Sequence, residues 1–152
     1  MIVRIIIFLV LNFGALAIGG IFTGKGVPSD WYAGLDKAPW TSPGWVFGFA
    51  WTTLMICFSL YMAYLWPAVP EARMLVVIFA CQWILNVAWN PVFFYFHRTG
   101  AALMVILLLT VVVGYLLVHS WPAMGWKSAL LLPYFLWLLV AVSLNGYVWM
   151  KN

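Results

Sequence analysis

The ten charged side chains of this 152-residue chain fall at Arg4, Lys25, Asp30, Asp36, Lys37, Glu71, Arg73, Arg98, Lys127 and Lys151, leaving five long charge-free stretches. That spacing constrains the fold more than any motif does. A helix needs about 20 apolar residues to cross about 30 Å of hydrocarbon, and each interval can hold one. With 67% of residues hydrophobic and 7% charged, an ordinary water-soluble domain is excluded. The expectation is an all-α, multi-pass integral membrane protein: one domain over residues 1–152, built as a bundle of five transmembrane helices.

The spans are placed at Ile2–Phe22, Gly44–Trp66, Met74–Phe96, Ala101–Ser120 and Ser128–Met150. An odd number of crossings puts the termini on opposite sides. The first segment also mimics a secretory signal, with Arg4, an apolar run and Ala15-Leu16-Ala17, but its apolar stretch continues through Phe22 to spanning length. Basic residues divide as Arg4, Arg73 and Lys127 against Lys25, Lys37, Arg98 and Lys151, too even a split for the positive-inside rule to orient the chain. Anchoring to lipid headgroups accounts for the formal charge of +4, and nothing suggests nucleic acid. A bacterial membrane and the mitochondrial outer membrane both stay open as locations, the bacterial one favoured.

The loop between the first two spans, residues 23–43, is by far the longest, and long ordered loops are more often functional than short ones. It reads "TGKGVPSDWYAGLDKAPWTSP". Ser29 can cap a short helical turn starting at Asp30, which would put Trp31 and Leu35 on one side. Trp31, Tyr32 and Trp40 serve equally as interfacial belt aromatics or as parts of a lid. Small residues four apart, at Ala15 and Gly19, Gly20 and Gly24, and Gly44 and Gly48, allow close helix approach within the chain or across a dimer.

The third span carries a polar stripe. At about 100° per residue, Gln82, Asn86, Trp89, Asn90 and Phe93 share one arc, and carboxamides in hydrocarbon must find partners on other helices, in water or in a ligand. That arc therefore faces into the bundle. Pro91 removes its own N–H and clashes with the Val87 carbonyl, so the helix should bend there, with a nearby Asn compensating the freed group. Tyr134, Trp137, Ala141, Leu144 and Asn145 share a face of the fifth span, and Phe47, Trp51, Leu54 and Phe58 one of the second. Such faces are either helix-to-helix packing or the walls of a site for a flat, mostly apolar ligand.

Absences narrow the chemistry. No Asp or Glu lies inside a span, which disfavours a proton-driven pump. Cys57 and Cys81 lack CxxC spacing and read as small apolar residues; His97 and His119 sit at span ends without a second ligand at metal spacing. No metal and no cofactor is expected.

Three separated motifs, "WYAGLDKAPWTSPGWVFGFAW" (Trp31 to Trp51), Gln82 and Asn86 with "WNPVFF" (Trp89 to Phe94), and "PYFLW" (Pro133 to Trp137) followed by Ala141, Leu144 and Asn145, make the chain resemble the tryptophan-rich sensory protein family, TspO, also called the translocator protein or peripheral-type benzodiazepine receptor family. The resemblance spans almost the whole chain. It implies a receptor- or transporter-like five-helix protein, often a homodimer, that binds porphyrins such as protoporphyrin IX and, in animal relatives, sterols. Carried over by motif, the implied ligand-binding residues are Tyr32, Pro43, Trp51, Asn86, Trp89, Asn90, Phe93, Trp137, Ala141 and Leu144; the helical faces add Phe47 and Tyr134. An alternative enzymatic reading also follows, in which Trp51 and Trp137 act as catalytic residues in light- and oxygen-dependent porphyrin degradation. Two departures stand out: Lys37-Ala38-Pro39-Trp40-Thr41-Ser42-Pro43 replaces a more proline-rich stretch, and Met55 stands where the family often has Tyr. Leu144, Tyr147 and Lys151 formally match a cholesterol-type pattern that many terminal helices match by chance.

Overall fold

The computed structural model describes residues 1–152, with no strand: α1 (Ile2–Gly26), α2 (Asp30–Ala33), α3 (Gly44–Ala68), α4 (Ala72–Phe94), α5 (Thr99–Met124), a 3₁₀ segment (Gly125–Leu130) and α6 (Leu132–Lys151). The five long helices, α5 with its 3₁₀ extension, are long and apolar enough to span a bilayer. Their polarity is inverted relative to a soluble domain. Asn12, Ser59, Gln82, Asn86, Thr110, Ser120, Ser128 and Asn145 are buried, while Ile2, Val10, Val77, Met104, Val111 and Val118 lie more than half exposed on the outer faces. Polar groups inward and large apolar groups outward suit hydrocarbon as the solvent.

Several boundaries differ from the expected ones for local reasons. α1 runs a turn past Phe22 to Gly26, which shortens the loop. α4 stops at Phe94 because the Pro91 carbonyl accepts from both Tyr95 and Phe96 N–H, 3.0 and 2.9 Å. The chain after Ser120 stays helical through Pro122 to Met124, where Gly125 turns at φ +53°, a left-handed value that costs glycine little. α6 starts at Leu132 rather than Ser128, with Pro133 in its first turn, where a missing N–H costs nothing.

The long helices form a ring in the order α3, α1, α4, α5, α6, with α6 returning to α3. At the α1–α4 crossing, Gly19 lies against the Asn90 side chain and Gly26 against Phe94. Ala15 and Gly19 are thus used within the chain, whereas Gly20, Gly24, Gly44 and Gly48 face open space. Polar bonds join the ring: Asn12 Nδ2 donates to Ser59 Oγ at 2.9 Å between α1 and α3, and Tyr61 hydroxyl pairs with Ser120 Oγ between α3 and α5. Each such bond is worth about 1 kcal/mol or less in a bilayer.

Candidate functional site

The loop after α1 becomes a cover through α2. Ser29 Oγ accepts from Tyr32 N–H at 3.2 Å, capping the turn as its sequence position suggests. Trp31 then lies flat on His97, ring centres 4.0 Å apart and 14° from parallel, and meets Phe93 edge-on at 5.6 Å. Tyr32 packs on Phe94 at 5.7 Å with Lys37 Nζ over its outer face at 4.6 Å; burial raises its phenol above the ordinary value and keeps it neutral. Farther on, Trp40 Nε1 donates to Ser143 Oγ at 3.1 Å. Asn152 clasps the Asp36 backbone, accepting from its N–H at 2.9 Å and donating to its carbonyl at 3.2 Å. The loop is therefore fastened to the ends of α4 and α6.

Beneath it, the α4 stripe divides between two neighbours. Asn90 turns toward α1, where its Oδ1 accepts from Thr23 Oγ1 at 2.8 Å and its Nδ2 donates to the Asn86 carbonyl at 3.2 Å. The carboxamide thus meets the carbonyl one residue before the one Pro91 frees, Val87. Trp89 turns toward α6, its Nε1 donating to Asn145 Oδ1 at 2.9 Å while its ring stacks on Phe93 at 5.0 Å. Asn145 also donates to the Thr99 carbonyl at 2.9 Å, tying in α5. One helical turn and two turns deeper stand Asn86, whose carboxamide makes no hydrogen bond within the chain, and Gln82, whose Nε2 donates to Tyr134 hydroxyl at 2.7 Å.

Aromatic side chains line the α3–α6 seam at that depth. Phe47 meets Trp137 edge-on at 5.6 Å, and Trp51 meets Tyr134 at 6.0 Å. Two buried polar atoms there have no partner, Gln82 Oε1 and Trp137 Nε1. Because carboxamide orientation is set only by its hydrogen bonds and Gln82 makes one, either orientation leaves an end unpaired. An orphaned buried donor or acceptor costs about 1–3 kcal/mol.

The expected residues therefore separate into groups. Phe47, Trp51, Tyr134 and Trp137 gather at the α3–α6 seam, with Ala141 half-buried on α6 against the same core; Leu144, also half-buried, lies a turn nearer the loop. Gln82 links that seam to α4, with Asn86 a turn above it. Trp89 and Phe93 form the layer below the loop, and Tyr32 lies over Phe94 in that layer. Pro43 is exposed at the start of α3. Asn90 has both ends of its carboxamide committed to helix contacts. The sequence reading passed over Asn12 and Thr23, although a lone carboxamide in an apolar helix is signal enough that a partner exists.

No group of three or more His, Cys, Asp or Glu side chains is placed to hold a metal ion. What the bundle defines is a multi-pass integral membrane protein with an aromatic, carboxamide-dotted interior under a fastened loop. Residues 6–150 match the model of the TspO/MBR family. The chain is 36% identical to Protein CrtK of Rhodobacter capsulatus over 140 residues, 90% of this chain and 84% of the relative. It is 32% identical to the tryptophan-rich sensory protein of Cereibacter sphaeroides over 118 residues, 78% and 74% of the two chains. It is also 32% identical to the human translocator protein over 126 residues, 80% and 75%. This chain belongs to the TspO/MBR family.

Proposed function

We propose that the protein binds a flat, mostly apolar ligand of the porphyrin class, protoporphyrin IX being the probe of choice, between α3, α4 and α6 as a membrane receptor or carrier. The observation that carries this reading is the pair of unpartnered buried polar atoms, Gln82 Oε1 and Trp137 Nε1, on facing helices. A site that served packing alone would gain by pairing or replacing them. A macrocycle rimmed with polar groups satisfies them, and Trp51, Trp89 and Trp137 offer faces on which it stacks. Asn86 supplies a third free carboxamide, and the loop carrying Trp31 and Tyr32 acts as the lid. A sterol-like ligand is a weaker fit, since it has one hydroxyl for several polar groups. A homodimer, which the TspO resemblance implies, belongs to the same proposal.

The test is thermal unfolding of the detergent-purified protein in the dark with and without protoporphyrin IX. A ligand bound only by the native state raises the midpoint, by about 2.7 kcal/mol of stability at a hundredfold excess over Kd; an unmoved midpoint rejects the proposal. Illuminating the same sample separates carrier from enzyme. Bleaching of porphyrin over many turnovers that needs Trp51 or Trp137 would make it a catalyst, and stable porphyrin absorbance would make it a carrier.

A further inference from the structure

A cavity of about 690 Å³ lies away from this site, on the outer flank between α1 and α4, and nine of its ten lining residues are apolar. The tenth is Arg4. From Arg4 to Leu11 along α1 the groove descends about 10 Å at 1.5 Å per residue, so it runs from the membrane surface about a third of the way through the hydrocarbon. Trp83 closes its deep end by donating Nε1–H to the Leu11 carbonyl at 2.9 Å. Phe8, in contact with Trp66 at 6.1 Å and Phe79 at 5.2 Å, holds its upper wall. Ala80 leaves the room between them.

The Arg4 guanidinium is half-buried at the mouth and has no hydrogen bond or ion pair within the chain. Glu71, the one acidic side chain on that side of the bundle, is exposed and does not reach it. An unpaired guanidinium above an apolar slot is complementary to a phosphate carrying an acyl chain, with the planar N–H fork matching phosphate oxygens and the chain filling the slot. We infer that the α1–α4 groove is a binding site for an anionic phospholipid, its headgroup on Arg4 and one acyl chain against Phe8, Ala80 and Trp83. A second copy of the chain packed here about a two-fold axis would set two Arg4 side chains at one membrane level, which like-charge repulsion opposes.

Native mass spectrometry of the detergent-solubilised protein tests this, with phosphatidylglycerol and phosphatidylcholine of identical chains as probes. The wild type should retain phosphatidylglycerol about fivefold more tightly, the factor expected per basic residue facing an anionic lipid. Arg4→Gln should abolish that preference, whereas Lys127→Gln, the same charge loss on the same side but over Tyr64, should keep it. Ala80→Trp should lower retention of both lipids, and protoporphyrin quenching should be unchanged in every variant. Equal retention of the two lipids by the wild type would overturn the inference whatever the variants do. So would equal losses in Arg4→Gln and Lys127→Gln, or a dimer that binds no lipid and that Ala80→Trp dissociates.

Discussion

Gly26→Ala should destabilise this protein although alanine is the better helix former. Gly26 is buried at the end of α1, and a Cβ built on it would lie 2.6 Å from Phe94 Cβ and Cγ. Phe94 Cβ is fixed by the α4 backbone, so rotating the ring gives no relief, and the ends of α1 and α4 must separate. Overpacking of this kind costs about 1–3 kcal/mol. Phe94 also meets Tyr32, Trp89 and Phe93 at 5.7, 5.8 and 5.0 Å, and losing one such pair adds about 0.5–1.5 kcal/mol. The helix-propensity gain of about 1 kcal/mol offsets part of this. The net loss is about 2 kcal/mol, or about 4–8 °C in Tm for a chain of this size. Gly24→Ala, whose Cβ would meet nothing within 4 Å, should be neutral or mildly stabilising. Thermal unfolding in detergent followed by tryptophan fluorescence measures both, and a Gly26→Ala midpoint no lower than that of Gly24→Ala would refute the reasoning.

Other outcomes follow from the same contacts. Trp89→Phe keeps the stack on Phe93 but strands Asn145 Oδ1, so it should lower stability by about 1 kcal/mol; Trp137→Phe removes an N–H that bonds to nothing and should leave the ligand-free Tm unchanged. Asn152→Ala removes both bonds to Asp36, and hydrogen exchange at the Asp36 amide should quicken about fivefold, as for loss of about 1 kcal/mol of local stability. Because burial raises the Tyr32 phenol from its ordinary 10.0, its neutral form stabilises the closed loop. That contribution is complete below pH 10 and is lost as pH rises from 10 through the raised value. Loop exchange rates should therefore respond to Tyr32→Phe only in that alkaline range.

The five-helix architecture was legible because ten charges partition an otherwise apolar chain, and hydrocarbon permits few alternatives to helices. Helical arithmetic also placed Gln82, Asn86, Trp89 and Asn90 on one inward arc. It could not divide them between neighbours, since an 80° spread over two turns straddles the boundary between α1 and α6. Asn90 consequently went to Thr23, and Trp89 to Asn145. The extension of α1 to Gly26 was hidden by Gly24 and Gly26, poor helix formers that packing against Phe94 retains. Trp31 was readable only as an interfacial aromatic or part of a lid, because its partner, His97, is 66 residues away and stands at φ +53° in a tight turn. The orphaned Trp137 Nε1 has no sequence signature at all.

Quenching of tryptophan fluorescence by protoporphyrin IX in the dark, for the wild type and for Trp51→Phe/Trp137→Phe, most directly tests whether the α3–α6 seam binds ligand. The wild type should show saturable quenching, and the double variant, folded to the same helical content, should bind far more weakly. Undiminished, saturable binding by the double variant would place the ligand elsewhere, and no saturable quenching in the wild type would return the seam to helix packing alone.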